Sequence, residues 1–131
     1  MTADILAWFA EYDARAARGD IEGMADLAVF PLNVVTDIPG GAAAAKIWTR
    51  AEFVEVMTEV VGDGAELEST RTPHLIGDNL AVVFTDATFT VDGTDIPVRY
   101  ADILLRTPDG WAFQTMVQPG HGTGWAAAAR G

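Results

Sequence analysis

Leu80-Ala81-Val82-Val83-Phe84-Thr85-Asp86-Ala87-Thr88-Phe89-Thr90-Val91-Asp92-Gly93-Thr94-Asp95-Ile96-Pro97-Val98-Arg99-Tyr100-Ala101-Asp102-Ile103-Leu104 is the stretch on which the fold turns. β-Branched and aromatic residues dominate both of its ends, with a period nearer two than 3.6. Between them Asp92-Gly93-Thr94-Asp95 is hairpin turn chemistry. If Asp92-Gly93 is a two-residue turn, Thr85 falls opposite Tyr100, Val83 opposite Asp102, and Asp86 opposite Arg99. Strand side chains alternate, so Tyr100 and Asp102 share one face and the Asp86–Arg99 pair takes the other. Asp102 would then point into apolar company, where desolvation raises a carboxyl pKa by as much as ~3–5 units. A carboxyl kept neutral in that way can donate a hydrogen bond.

Working outward from the hairpin, Thr107-Pro108-Asp109-Gly110 leads into a shorter extended run, Trp111–Gln118. Upstream, Gly77-Asp78-Asn79 joins it to another, Glu66–Ile76. Earlier the period becomes helical. Ile5, Trp8, Phe9, Tyr12 and Ala16 form one stripe from about Ala3 to Arg18. Gly19 suits the residue past a helix end and Asp20 an N-cap, so a second, short helix follows with Met24, Leu27 and Ala28 on its apolar face. Pro31 bars its continuation. Leu32–Thr36 reads as a strand that stops at Asp37-Ile38-Pro39-Gly40-Gly41. Thr49-Arg50-Ala51-Glu52 is a capping box, opening a helix to about Val61 that buries Phe53, Val56, Met57 and Val60 and ends at Gly62-Asp63-Gly64. Helices grouped before strands predict α+β architecture, with three helices packed on a strongly curved mixed or antiparallel sheet. A sheet wrapped around a helix leaves an interior pocket.

The chain has 131 residues, which suits one domain over 1–131, with 119–131 a loose or partner-docked tail of glycine and alanine. Its net charge is −11, from 19 acidic and 8 basic residues. Without a basic cluster it repels phosphate backbones and anionic lipid, so neither nucleic acid nor a membrane surface is an expected partner. The start, Met1-Thr2-Ala3-Asp4, lacks a basic signal region, and no apolar run reaches the ~20 residues that span a bilayer. The expected compartment is the cytoplasm, and the single Lys against seven Arg fits a GC-rich bacterial genome. No metal site is expected, because there is no Cys and His74 and His121 stand far apart. No cofactor is implied either. Ser69, the only serine, has no evident base, which argues against a serine hydrolase.

In element order, from about Ala3 to Gln118, the chain resembles the nuclear transport factor 2-like (NTF2-like) superfamily. This is the cone-shaped α+β barrel of ketosteroid isomerases, SnoaL-type polyketide cyclases and scytalone dehydratases. Its local sequence is most similar to bacterial ketosteroid isomerases at Ala10-Glu11-Tyr12, Gly19-Asp20-Ile21-Glu22, Val34-Val35-Thr36-Asp37, Asp102-Ile103-Leu104-Leu105-Arg106 and Gln114-Thr115-Met116. The resemblance implies that Tyr12 donates to a substrate oxyanion, that Asp37 is the general base, and that a protonated Asp102 completes the oxyanion hole. Trp8, Phe53, Met57, His74, Tyr100 and Met116 are the expected lining of a pocket for a small apolar carbonyl compound. It also implies a homodimer through the outer sheet face, on residues such as Val83 or Ile103.

Each residue has a plainer reading beside this one. Tyr12 fits a core tyrosine, Asp37 an ordinary turn residue, and Asp102 an outward strand position. A non-catalytic binding or dimeric assembly module is therefore the alternative to an isomerase or cyclase. A dehydratase-like lyase is a second alternative, resting on Tyr12-Asp13 with His74 and His121.

Overall fold

The computed structural model describes residues 2–37, 41–61, 68–91 and 93–119. Helix α1 (Thr2–Ala17) ends at Gly19, whose φ of 70° is left-handed and favours glycine. Helix α2 (Ile21–Ala25) begins at once because the Asp20 carboxylate accepts the Gly23 N–H at 3.0 Å. That cap needs a glycine: a Cβ on Gly23 would stand 2.1 Å from the carboxylate oxygen. At α3 (Arg50–Val61) the capping box forms in both directions. The Glu52 N–H donates to the Thr49 hydroxyl at 3.2 Å and the Thr49 N–H to the Glu52 carboxylate at 3.1 Å.

Six strands follow the expected α+β plan: β1 (Ala28–Thr36), β2 (Ala44–Trp48), β3 (Glu68–Leu75), β4 (Leu80–Val91), β5 (Thr94–Thr107) and β6 (Gly110–Gln118). They form one sheet in the order β2-β1-β6-β5-β4-β3. All neighbours are antiparallel except β1 and β6, so the sheet is mixed. The β4–β5 register is the one set by a two-residue turn, with Thr85 opposite Tyr100 and Val83 opposite Asp102.

Two strand assignments differ from the sequence reading. Strand β1 starts at Ala28 rather than Leu32, running through exposed Pro31 where its ladder with β6 is irregular. Strand β2 has no counterpart in the sequence reading. Its alanines carry little strand preference, and it forms as an edge strand paired only with β1. The helix terminator at Gly62-Asp63-Gly64 and the start of the following run lie outside the described residues.

The helices cover one face of the sheet. Ile5 and Phe9 of α1, Met24 of α2 and Phe53, Met57 and Val61 of α3 pack with Leu32, Val34, Val83, Leu104, Phe113 and Met116 in a single core. The helix-covered face is here termed concave, the other convex.

Candidate functional site

Alternation along three strands builds the site. Arg71, Thr85 and Tyr100 form one row across β3, β4 and β5. The next concave row is Pro73, Val83, Asp102, Met116 and Val34. A carboxyl and a guanidinium therefore lie two residues out of step on the face that should hold only core.

Helix α1 lies over these rows. Tyr12 stacks on Trp8, one turn earlier, with ring centroids 5.9 Å apart, and stands edge-on to Phe113 at 5.5 Å. Its neighbour Asp13 receives both terminal nitrogens of Arg71 at 3.1 Å each. The same guanidinium lies 4.1 Å over the Phe9 ring. Arg71, whose side chain is 8% exposed, thus fastens α1 to β3 by a two-pronged ion pair and a cation–π contact.

Burial sets the electrostatics. Asp102 is 7% exposed, and desolvation pushes its carboxyl up to about 7, although the charge of Arg71 pulls the other way. The Tyr12 phenol lies well above its ordinary value, first from burial and then from the proximity of Asp102 and Tyr100. Tyr100 is also raised by burial, while Arg71 opposes this by charge and by a hydrogen bond. Burial acts against the charge on Arg71, yet Tyr100 and Asp13 outweigh it and keep the guanidinium firmly protonated. At neutral pH the cluster holds two neutral phenols, a carboxyl whose protonated form burial favours, and a compensated cation. It is a set of hydrogen-bond donors in a largely apolar wall.

The other expected site residues fall in different places. Asp37 is exposed just beyond β1, its N–H bonded to the Gln118 carbonyl at 3.2 Å. It lies three residues past Val34, and so roughly 10 Å along the strand from the Asp102 row. Phe53, Met57 and Met116 belong to the packed core, Phe53 being fully buried against Phe30 and Phe113. Trp8 is half-buried beside Tyr12.

His74 is exposed and lies edge-on to Phe84 at 5.7 Å; it pairs with Val82 and occupies the convex face, away from Tyr12. Parity explains this, because His74 is one residue out of phase with Arg71 and Pro73. His121 and the tail from Gly120 lie outside the described residues. Val83 is completely buried on the concave side and cannot belong to an outer docking face, whereas Ile103 does lie on the convex side. Asp86 and Arg99 pair at 3.3 Å on the convex face, both well exposed.

Arg71 and Thr85 are site residues that the sequence reading does not select, and Asp13 enters it only with Tyr12 in the dehydratase-like alternative. The signal was available. Arg71 shares the phase of Pro73 and Leu75, so an inward-facing β3 puts a cation against α1, where Asp13 follows Tyr12.

A depression of about 710 Å³ lies elsewhere on the sheet. Five of its lining residues, Thr70, Asp86, Thr88, Pro97 and Arg99, belong to the convex face by register. Among the described residues no helix is long and apolar enough to cross a membrane, and no group of three or more metal-binding side chains gathers.

Neither a protein-family model nor a curated protein matches this sequence. Solved structures do. An NTF-2 like protein of unknown function from Shewanella oneidensis MR-1 superposes with a TM-score of 0.69 at 14% identity, covering 90% of this chain and 98% of that one. A candidate scytalone dehydratase from Novosphingobium aromaticivorans gives 0.67 at 17% identity over 88% of this chain and 80% of its own. An ntf2-like protein with a cystatin-like fold, also from Novosphingobium aromaticivorans, gives 0.59 at 22% identity over 98% and 87%. At such identities the likeness is one of fold, and a fold hosts many chemistries.

Proposed function

This chain has the NTF2-like, cystatin-like α+β fold, and we propose that it binds a small molecule on the concave face, with Tyr12 and protonated Asp102 donating hydrogen bonds to a carbonyl-type oxygen. One observation carries the reading. Asp102 lies in mid-strand, 7% exposed and facing a helix, where burial holds its carboxyl near 7 and Tyr12 feels its charge. Carboxyls are scarce inside strands, and a site that perturbs one beside a buried phenol is suited to an oxygen on which charge develops. 2-Naphthol is a simple probe of that oxygen. Tyr12→Phe and Asp102→Asn should each weaken its binding by about tenfold or more, read by fluorescence titration, since each removes or weakens a donor to a charged oxygen. Unchanged affinity in both variants would remove the site.

The catalytic form of the proposal adds a base. Asp37, exposed just beyond β1 and roughly 10 Å along the strand from the Asp102 row, would take a proton from the carbon next to the bound carbonyl while Tyr12 and Asp102 hold the oxygen. Deuterium exchange into a bound ketone is the measurement. Asp37→Asn should slow it by ~10²-fold or more, within the usual range for loss of a general base. An exchange rate equal to the wild type would leave binding without acid–base chemistry.

A further inference from the structure

Three buried side-chain polar atoms among the described residues have no hydrogen-bond partner: Trp8 Nε1, Arg71 Nε and Thr85 Oγ1. All three carry a hydrogen. Two of them, on Arg71 and Thr85, are neighbours in the sheet. Arg71 and Thr85 face each other across β3 and β4, Thr85 faces Tyr100 across β4 and β5, and Trp8 lies on α1 stacked against Tyr12. Buried donors are nearly always satisfied in folded proteins, so the facing pair of Arg71 Nε and Thr85 Oγ1 calls for an acceptor.

The nearby acceptors do not meet that need. The Asp13 carboxylate is engaged end-on by the two terminal nitrogens of Arg71, which leaves the side edge of the guanidinium, with its Nε–H, unused. Tyr100 bonds the same guanidinium but not at Nε. Asp102 lies one row further along the concave face. The planar edge of an arginine matches a carboxylate in geometry as well as charge.

We propose that the ligand of this site carries a carboxylate, held by the Nε edge of Arg71 and the Thr85 hydroxyl. This deepens the reading of Tyr12 and Asp102 as a carbonyl site and rests on it for the ligand's position. The two groups of donors lie one sheet row apart, so the substrate class becomes an apolar keto or enol acid. Its carbonyl oxygen meets Tyr12 and Asp102, and its carboxylate meets Arg71 and Thr85.

The test uses the full chain and a matched pair of probes, 2-naphthoate and the neutral ketone 2-acetylnaphthalene, each titrated while the Arg71 Nε N–H signal is followed by NMR. 2-Naphthoate should bind about tenfold tighter than the ketone and move that signal, as a charge-assisted contact requires. Thr85→Val keeps the side-chain shape and removes the hydroxyl, so the fold persists. It should cost 2-naphthoate about fivefold or more in affinity. Equal affinity for the two probes, or indifference of 2-naphthoate to Thr85→Val, overturns the inference. If 2-naphthol binds and 2-naphthoate shows no preference, only the carboxylate assignment fails. If 2-naphthoate binds through Thr85 and 2-naphthol does not bind, the carbonyl site fails and the carboxylate site stands.

Discussion

Asp86 and Asp102 lie on the two arms of one hairpin, and their surroundings could hardly differ more. Asp86 faces Arg99 on the convex side, 3.3 Å away, with both side chains in water. Asp102 faces Val83 on the concave side, 7% exposed, and burial brings its carboxyl up to about 7. The residue type is identical and so is the strand geometry. What differs is parity along the strand: one step in register decides whether a carboxylate is solvated or pressed against a helix. A charge on the solvated face costs little to keep. A carboxyl on the helix-covered face costs stability, and a feature with that cost points to a use for it.

The comparison is broken most severely by pH. Asp102 has a folded value near 7 against an ordinary 3.8, so the native state holds a proton that the unfolded chain releases between those limits. Stability from this group is fully present below about pH 4, declines as pH rises, and is gone above about 7. The change amounts to about 4 kcal/mol, at 1.36 kcal/mol for each unit of difference. Asp102→Asn should abolish that decline while Asp86→Asn leaves it intact, as measured by urea denaturation at pH 4, 5, 6 and 7. A wild-type protein equally stable at pH 4 and pH 7, or a decline that survives Asp102→Asn, would show that Asp102 titrates like a surface carboxyl.

Much of this contrast was legible from the order of residues, and the rest was hidden for definable reasons. The β4–β5 register followed from a two-residue turn at Asp92-Gly93, and with it the separate faces of Asp86 and Asp102. The capping box at Thr49 and the glycine stop at Gly19 are local chemistry, which a sequence displays openly. Strand β2 was hidden because Ala44, Ala45 and Lys46 carry little strand preference beside Ile47 and Trp48, and the segment pairs only with β1. Arg71 was hidden because its partners lie far off in the chain. Asp13 and Phe9 meet it only after α1 lies across the sheet, and Tyr100 only across the intervening strand β4. His74 is a rarer and more reactive side chain than its neighbours, yet it is one residue out of phase and faces away. Composition marks which groups could do chemistry; only pairing and parity tell which of them meet.

The same two faces offer a gentler comparison, between their ion pairs. Arg71–Asp13 and Arg99–Asp86 are both arginine–aspartate pairs in contact, at 3.1 Å and 3.3 Å. In the first the arginine side chain is only 8% exposed and the contact is two-pronged, although Asp13 itself is half in water. In the second both partners are more than half exposed. Double-mutant cycles with Arg71→Met and Asp13→Asn should return a coupling of about 1.5 kcal/mol, reduced from a buried pair's value by the solvent around Asp13. The cycle with Arg99→Met and Asp86→Asn should return under about 0.5 kcal/mol and should vanish in 0.5 M salt, where screening acts within a few ångströms. The cation–π contact of Arg71 with Phe9 cancels from the first cycle, since Asp13 takes no part in it. The first coupling therefore isolates the α1–β3 clasp itself. Equal couplings for the two pairs would mean that the cover of α1 adds nothing to the charge contact beneath it, and parity would then govern proton affinity without governing ion-pair strength.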